Sequence, residues 1–228
     1  MKYIILIPSY KPNDKLIKLL KEIDNKYEVI LVDDGSGNNY DDIFNEANKY
    51  SHVIRYNINH GKGYALKKGL KYISDNYKDY IVVTMDSDGQ HKYKDALKLC
   101  DYVKDNLDVL VLGKRKFTKD TPLRSKIGNY ITRHIFKLVT KRSIYDTQTG
   151  LRAFSYKIVS YMLNTPGDRF EYEMNVLLGL NDNKIEHKEL VIETVYFKYN
   201  GKSHFKTIKD AYMIYKNIFS YKRSRNGR

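Results

Sequence analysis

Residues 81–91 read IVVTMDSDGQH, an apolar run that ends at two aspartates, a glycine, a glutamine and a histidine. A short apolar run with little alternation is typical of a strand buried on both faces of a parallel sheet. On an extended backbone, Asp86 and Asp88 would point to the same side, where two carboxylates repel each other unless a cation neutralises them. We therefore predict an Mg²⁺ or Mn²⁺ site here, with Gln90 as a third oxygen ligand. The alternative is a solvated turn before the next helix.

Four further short runs, also rich in Val and Ile, occur at residues 2–7, 28–32, 53–56 and 108–113. Between the runs lie helical stretches, such as residues 14–23 and 63–73, whose apolar residues form one stripe. This alternation predicts a single α/β domain with a mostly parallel central sheet flanked by helices. Ligands of such sheets bind beyond the carboxyl ends of the strands, so functional residues are expected just after each run.

Polar residues follow the first two runs, with Pro8 and Tyr10 after the first and Asp33 and Asp34 after the second. Carboxylates can accept hydrogen bonds from a ribose or a base, and a flat tyrosine ring can pack against a base. Each segment alone is also a common turn sequence, but their ordered recurrence indicates a site. Lys62 lies between two glycines before a helix, where it could meet a phosphate.

The composition narrows the class of protein. Among 228 residues, Lys and Arg outnumber Asp and Glu by 41 to 27, which favours polyanionic partners. The single cysteine, Cys100, excludes an internal disulfide, and it lies among apolar residues as an inert core thiol. No stretch approaches the roughly 20 apolar residues of a membrane span, so we expect a cytoplasmic protein. Charge alone would also suit a nucleic-acid-binding module, but the acidic strand ends would repel nucleic acid, and we predict no such partner.

The segment 114–142 is strongly basic. Ile127, Ile131, Ile135 and Leu138 mark one helical face among its Lys and Arg residues. A basic amphipathic helix of this kind can lie at a bilayer surface, so we predict peripheral association with the inner face of the membrane. The alternative is an ordinary helix whose apolar face packs on the sheet.

The rest of the chain adds a helical stretch at residues 169–180, a strand-like run at 190–199 and a final helix near 207–219. We assign residues 1–221 to one domain. The basic tail at 222–228 is predicted to be disordered.

Seven segments, taken in order, resemble the family 2 glycosyltransferases with the GT-A fold: IPSYKP, VDDGS, NHGKGYALKKGL, MDSDGQH, GKR, DTQTGLRAF and RFEYEM. The resemblance covers nearly the whole chain and is greatest to the dolichyl-phosphate mannose synthases and bacterial polyprenyl-phosphate glycosyltransferases. It implies a metal-dependent, inverting hexosyl transfer from a nucleoside-diphosphate sugar to a polyprenyl phosphate of the dolichyl or undecaprenyl type. The segment around Ser203, His204 and Phe205 resembles the same branch.

The resemblance also implies the site residues. Those that bind the nucleotide sugar are Pro8, Tyr10, Asp33, Asp34, Lys62, Asp86 and Ser87. The metal ligands are Asp86, Asp88 and Gln90. The catalytic residues are Asp88, Arg115 and Glu173, and the acceptor-binding residues are Arg124 and Arg152.

Two features leave alternatives open. Lys11 and Pro12 replace the Asn and Glu that usually end the family's first motif, so the resemblance does not specify the nucleobase of the donor. A hydroxyl acceptor would need a general base, for which Glu171 and Glu173 are the candidates, whereas a lipid phosphate at the membrane surface, with a second pKa of about 6, needs none. Transfer to a sugar or glycan hydroxyl is therefore the first alternative, and a nucleotidyltransferase is a more distant one. A separate membrane protein is a further candidate partner.

Overall fold

The computed structural model describes residues 1–116, 121, 123–193 and 207–226, and for residues 123–125, 207–211 and 224–226 it describes the backbone alone. Seven strands within these ranges form one sheet. They are β1 Lys2–Ser9, β2 Glu28–Asp34, β3 His52–Tyr56, β4 Tyr80–Thr84, β5 Val109–Arg115, β6 Arg152–Ser155 and β7 Glu186–Ile192.

Helices connect most of the strands and cover both faces of the sheet. They are α1 Lys15–Glu22, α2 Asp41–Ala47, α3 Lys62–Asn76, α4 Tyr93–Asp105, α5 Leu123–Thr140, α6 Tyr156–Asn164, α7 Glu171–Leu178 and α8 Thr207–Asn226. The five apolar runs correspond to β1–β5, and the predicted α/β architecture with a mostly parallel sheet is confirmed.

The strand order across the sheet is β3-β2-β1-β4-β6-β5-β7. All neighbouring pairs are parallel except those of β6, which runs antiparallel to both β4 and β5. The register pairs Thr84 with Arg152. Because β6 runs in the opposite direction, its first residue lies at the carboxyl end of β4, which brings the segment before β6 to the functional edge.

Two apolar cores lie on the two faces of the sheet. In β1, Ile5 and Ile7 face the layer of α1, α2 and α4, whereas Ile4 and Leu6 face the layer of α3 and α5–α8. All four side chains have no solvent exposure. Full burial of such a side chain contributes about 1.5–3 kcal/mol, so strands that are apolar on both faces stabilise a sheet covered on both sides.

Helix α5 packs on the core through a face that the apolar pattern did not predict. Its buried residues include Thr132, Phe136 and Thr140. Each threonine hydroxyl donates to the carbonyl four residues earlier, at 2.8 Å, which satisfies its polarity within the helix. Ile135 is partly buried, but Ile127, Ile131 and Leu138 are exposed. The alternative in which this apolar face packs on the sheet is therefore wrong for those three residues.

The carboxyl-terminal part differs from expectation in two further ways. Strand β7 begins at Glu186, earlier than the predicted run at 190–199, of which residues 194–199 lie outside the described ranges. Helix α8 continues to Asn226, so the prediction of disorder is wrong for residues 222–226. Lys, Arg and Ser are tolerated within helices, and nothing in SYKRSRN interrupts one. Ser203, His204 and Phe205 lie outside the described residues.

Candidate active site

The carboxyl ends of β1, β2 and β4 meet at one edge of the sheet. The register pairs Ser9 with Asp33, and Leu6 with Thr84. Lys62 begins α3 directly after the loop that follows β3, so its side chain reaches the same edge. This placement brings together most of the residues that the sequence analysis singled out.

Lys62 forms the centre of the arrangement. Its Nζ lies 2.7 Å from Asp86 Oδ1 and 2.9 Å from Glu173 Oε2. Burial alone would lower the pKa of Lys62, but the two carboxylates outweigh that effect and raise it above its ordinary value. The side chain therefore stays charged, and it joins the end of β4 to helix α7.

Asp86 is held from two further sides. Its Oδ2 lies 3.4 Å from His91 Nε2. Burial would raise the pKa of Asp86, but the Lys62 ammonium and then His91 hold it well below its ordinary range. A Cβ added to Gly150 would lie 2.3 Å from Oδ2, so a larger residue there would displace the carboxylate or its own segment. The Thr84 hydroxyl donates to the Gly150 carbonyl at 2.8 Å and fixes this approach.

Asp88 is close to Asp86, but not by strand alternation. The strand ends at Thr84, residues 87 and 88 form a turn, and Gly89 adopts a φ of 76°. The Gln90 N–H donates to Asp88 Oδ1 at 2.9 Å and closes the turn. The expectation of an extended backbone here is therefore wrong, because this hydrogen bond and the glycine reverse the chain. Loss of solvation, and then the charge of Asp86, raise the pKa of Asp88.

These residues fit a hard divalent cation. Asp86, Asp88 and Gln90 offer oxygen atoms, the donor type that Mg²⁺ and Mn²⁺ prefer. Burial, and then the charge of Asp86, raise the pKa of Asp88, and a bound cation would offset both effects. Among the described residues, however, no three His, Cys, Asp or Glu side chains are grouped as a ready metal site. Substrate oxygens would therefore have to complete the ligand set.

Asp34 organises the loop that precedes α3. Its Oδ1 accepts from the Tyr56 hydroxyl at 2.8 Å and the His60 N–H at 2.9 Å. Its Oδ2 accepts from Asn59 Nδ2 at 2.7 Å and the Gly61 N–H at 2.8 Å. Four donors saturate a carboxylate, so Asp34 holds this loop in place and has no oxygen left over for a further donor.

Asp33 is engaged in the same way. Its Oδ1 accepts from the Ser36 N–H at 2.9 Å, and Arg55 Nε donates to its Oδ2 at 3.0 Å. The side chain is buried. Both aspartates thus lie at the predicted edge, where they shape the loops around it.

The end of β1 presents Tyr10. Pro8 is buried within the strand, whereas Tyr10 is half-buried just beyond it. Lys11 adopts a left-handed φ of 49°, its N–H donates to Ser36 Oγ at 2.8 Å, and its ammonium lies 5.2 Å from the centroid of the Tyr10 ring. The loops after β1 and β2 are therefore joined beside a tyrosine ring.

The two predicted arginines that the structure describes have protein partners. Arg115 ends β5, and its guanidinium donates to Asp146 at 2.6 and 2.9 Å. Arg152 is buried, with Nε donating to the Thr149 carbonyl at 3.0 Å and Nη1 to the Glu173 carbonyl at 2.7 Å. Arg152 thus ties the segment before β6 to α7 and positions Glu173. The side chain of Arg124 lies outside the described part of the chain.

The structure separates the two candidate bases. Glu171 Oε1 accepts the backbone N–H groups of Asp168 and Arg169, each at 3.2 Å, at the start of α7. Glu173 is two positions further along, on the other side of the helix, and its carboxylate contacts Lys62. Only Glu173 therefore belongs to the candidate site.

Three buried side-chain atoms in the described residues have no hydrogen-bond partner: Ser9 Oγ, His91 Nδ1 and Arg152 Nη2. All three residues stand at or just beyond the functional edge, at the end of β1, after β4 and at the start of β6. Buried polar atoms are rarely left unpaired, so their concentration here indicates a place built for a polar ligand or for water. Ser9 follows the first apolar run but received no role from the sequence, and Gly150 was not predicted as part of the site.

A groove lies on the α5 side of the molecule. Its volume is about 430 Å³, and Lys126, Tyr130, Arg133 and Tyr145 line it. Lys114 and Arg133 stack on the Tyr145 ring, 4.4 and 5.0 Å from its centroid. Tyr145 directly precedes Asp146, the partner of Arg115, so this groove adjoins the site. The sequence signal was the clustering of Lys and Arg in this segment.

Comparison with known proteins agrees with this geometry. The model of "Glycosyl transferase family 2" matches residues 4–163. The chain is 30% identical over 220 residues to a UDP-N-acetylglucosamine–dolichyl-phosphate N-acetylglucosaminyltransferase of Methanococcus voltae, covering 86% of each protein. It is 28% identical over 209 residues to a dolichyl-phosphate beta-glucosyltransferase of Saccharomyces cerevisiae, covering 76% of this chain and 61% of that one.

A similar solved structure is that of glucosyl-3-phosphoglycerate synthase from Mycobacterium tuberculosis, determined with Mn²⁺, UDP-glucose and phosphoglyceric acid. Its TM-score is 0.69 at 15% identity, and the match covers 97% of this chain and 79% of that one. At this identity the likeness shows the fold alone. Since the family model spans well over half of the residues, the chain belongs to glycosyl transferase family 2, and it is a glycosyltransferase with the GT-A fold.

Proposed function

We propose that this enzyme transfers a sugar from a nucleoside-diphosphate sugar to a polyprenyl phosphate, with a divalent cation and with inversion at the anomeric carbon. The observation that carries the proposal is the position of Lys62, between Asp86 and Glu173 at the edge where the strand ends meet. The names of the similar proteins, which include dolichyl-phosphate glycosyltransferases, support the acceptor class.

The donor would lie along the ends of β1, β2 and β4. Tyr10 offers a ring for the base, and the loop that Asp34 organises leads directly to Lys62 at the start of α3. Backbone N–H groups and a cation at a helix start attract phosphate. Asp86, Asp88 and Gln90 would hold Mg²⁺ or Mn²⁺, which offsets the charge on the departing nucleoside diphosphate when bound.

A phosphate acceptor agrees with the state of Glu173. Its carboxylate is paired with Lys62, so it is poorly placed to remove a proton from a hydroxyl. A lipid phosphate is largely ionised near neutral pH and attacks without a base. Its oxygen would form a bond to the anomeric carbon while the bond to the diphosphate oxygen breaks on the opposite face. One such displacement inverts the configuration.

The groove beside α5 offers a place for that acceptor. Among the described residues, Lys114, Lys126 and Arg133 form no ion pair with a carboxylate. Two of these cations stack on Tyr145 instead, so their charge remains available to an anion. We assign the acceptor phosphate to the region between this groove and Arg115.

The second candidate is transfer to a sugar or glycan hydroxyl. It is favoured by the position of Glu173 within reach of the site, because release from Lys62 would leave a carboxylate that could act as a base. Both candidates share the donor and the metal, and they differ in the acceptor and in whether a base is needed.

The location follows from the acceptor. No helix in the described part of the chain is long and apolar enough to cross a bilayer. We propose a cytoplasmic enzyme that works peripherally at the inner face of the membrane, where polyprenyl phosphates and nucleotide sugars meet.

The test uses the whole chain with a panel of nucleoside-diphosphate sugars and Mn²⁺ or Mg²⁺. Each donor is offered a short-chain polyprenyl phosphate or a soluble sugar, and products are identified by mass spectrometry. Metal-dependent formation of a glycosyl polyprenyl phosphate, with release of nucleoside diphosphate, is expected. Efficient glycosylation of the soluble sugar alone would favour the second candidate, and pyrophosphate release would indicate a nucleotidyltransferase.

A further inference from the structure

Exposed apolar side chains concentrate on two helices. Ten large hydrophobic residues are exposed in the described part of the chain, and six of them lie on α5 or α8. They are Ile127, Tyr130, Ile131, Leu138, Tyr212 and Phe219. Leu138 is 75% exposed and Tyr212 is 63% exposed, so these side chains are not sheltered by their neighbours. Single exposed apolar residues are common, but a cluster of this kind usually marks a contact surface.

The spacing places these residues on one face of each helix. Ile127, Ile131 and Leu138 follow one another at four and seven positions along α5. Tyr212 and Phe219 are seven positions apart on α8, with exposed Lys216 between them. Residues at these intervals share a side of an α-helix.

The two helices are neighbours, and each buries the face that lies opposite its exposed apolar residues. The Thr132 hydroxyl lies 3.3 Å from that of Tyr215, which joins α5 to α8. Phe136 on α5 and Ile214 and Ile218 on α8 are buried in the same core. The exposed sides are therefore left without a partner in the described part of the chain, while the buried sides fix how the helices sit.

Basic residues accompany the apolar ones. Lys137, Lys141, Lys216, Lys222 and Arg223 are all exposed on or directly after these helices. Residues 123–140 contain no aspartate or glutamate. A surface that combines protruding aliphatic and aromatic groups with uncompensated cations is complementary to an anionic bilayer, where rings and aliphatic chains enter the headgroup level and cations meet phosphates.

We propose that the α5–α8 face, defined by the six exposed apolar residues and the five exposed cations, docks on a bilayer that contains anionic lipid. This inference rests on the proposed lipid-phosphate acceptor and adds the surface that brings the enzyme to it. Tyr130 belongs both to this face and to the basic groove, so docking places the groove mouth at the level of the headgroups. An acceptor phosphate anchored in the bilayer then reaches the groove without leaving the membrane.

The experiment is co-sedimentation of the whole chain with phosphatidylcholine vesicles, with and without phosphatidylglycerol, over a range of salt. Binding is expected only with the anionic lipid, and it should weaken as salt rises. The variant Ile131→Glu/Leu138→Glu removes apolar contact, and Lys137→Glu/Lys216→Glu reverses charge. Each of these two double variants should lower vesicle affinity about tenfold or more, because every basic residue near an anionic surface adds binding free energy and buried apolar groups add more.

Matched controls lie on other faces. Val191→Glu changes one exposed apolar residue of β7 and is compared with Leu138→Glu alone. Lys18→Glu/Lys104→Glu changes the net charge as much as Lys137→Glu/Lys216→Glu does, through exposed lysines of α1 and α4. Both controls should bind vesicles within about twofold of the parent. If the controls lose as much vesicle affinity as the face variants, the net charge of the protein explains the binding and the proposal is overturned. So would a parent chain that stays in the supernatant and forms a dimer that Leu138→Glu dissociates, since a second copy would then cover the face.

Activity separates this inference from the proposed function. With a short-chain polyprenyl phosphate in detergent, the face variants should keep the parent rate, whereas transfer to acceptor embedded in vesicles should fall with vesicle affinity. Loss of vesicle binding without loss of transfer from vesicles would overturn the docking face and leave the function standing. Salt-dependent vesicle binding with no transfer to any polyprenyl phosphate would overturn the proposed function and leave the docking face standing.

Discussion

Lys62 and Asp86 form an ion pair of 2.7 Å, in which a protein cation already neutralises a carboxylate expected to bind metal. The same ammonium holds Glu173 at 2.9 Å. A divalent cation bound as proposed would therefore compete with Lys62 for Asp86, and arrival of a metal-bound diphosphate would draw the lysine toward the phosphates. Its removal should have opposite effects on the two ligands.

We predict that Lys62→Met binds Mn²⁺ alone about tenfold more tightly than the parent, because a competing charge is lost. The same variant should bind nucleoside diphosphate with Mn²⁺ more weakly, since a phosphate partner is gone. Isothermal calorimetry measures both affinities. Lys67→Met is the control, because Lys67 lies on the same helix but pairs with Asp168 at 2.7 Å. Weaker Mn²⁺ binding in Lys62→Met would contradict the competition.

Asp88→Asn should separate activity from stability. Transfer should fall about 10²–10³-fold, as expected when a key electrostatic group is removed. The folded chain should become slightly more stable to urea, because the raised pKa of Asp88 shows that its charge is unfavourable in the fold. Asp86→Asn should lose activity and stability together, since the pKa of Asp86 is lowered by its partners. Full activity of either variant, or of the parent in EDTA, would exclude the metal assignment.

Gly150→Ala should disable the site by displacing one carboxylate. The added methyl would lie 2.3 Å from Asp86 Oδ2, closer than any real contact, so Asp86 must leave Lys62 or the segment before β6 must move. We expect a loss of transfer comparable to that of Asp86→Asn, measured with the same donor. Gly128→Ala is the matched control, because its nearest neighbour would be 4.0 Å away, and alanine favours a helix by up to about 1 kcal/mol. Normal transfer in Gly150→Ala would show that this contact is unimportant.

Asp34→Asn should destabilise the fold. An amide replaces one oxygen with a donor, which would face donors from the loop at residues 59–61, and each hydrogen bond to a charged group is worth about 1.5–3 kcal/mol. We expect the free energy of unfolding, measured in urea, to fall by at least about 2 kcal/mol. Nucleotide affinity should also fall, because the loop that leads to Lys62 loses its support. Asp42→Asn, at an exposed position of α2, should change neither quantity. An unaltered free energy of unfolding in Asp34→Asn would mean that the four hydrogen bonds do not hold the loop.

The stability of the chain should depend on pH through His187. Burial, and then the guanidinium of Arg142, lower the pKa of His187. The folded form therefore holds fewer protons than the unfolded chain, whose histidine has a pKa of about 6.5. Stability should decline as the pH falls below that value and level off once the folded form also takes up a proton. In urea unfolding at about pH 7.5 and about pH 5.5, His187→Gln should show a smaller difference than the parent. If the variant and the parent lose the same stability between the two pH values, groups other than His187 cause the pH dependence.

The sequence alone was sufficient to predict the strands and the sheet edge that a local residue pattern marks. Apolar runs predicted β1–β5, and the polar residues after them predicted the edge that carries the site. The four residues of β6 could not be recognised, because so short a strand has no period of its own and forms only by pairing with β4 and β5.

Relations between distant residues were also beyond a local pattern. The pairing of Lys62 with Glu173 joins α3 to α7, and nothing in either segment specifies the other. The close approach of Gly150 to Asp86 depends on the antiparallel register of β6. On α5, the apolar pattern suited either a bilayer surface or the core, and it did not reveal that threonines which satisfy their own hydroxyls occupy the buried face.

The position of β6 constrains how the chain can fold during synthesis. Strands β1–β4 can pair as soon as residues 1–84 have emerged from the ribosome, but the free edge of β4 then stays open until residues 152–155 follow. β5 has no strand to join before β6 and β7 are made, because it pairs with no earlier strand. A nascent chain thus exposes an apolar strand edge over a long interval, the kind of edge that other chains can extend into aggregates. Slow translation across residues 85–151 would lengthen that interval, and chaperones that shield strand edges should act on this chain at that stage.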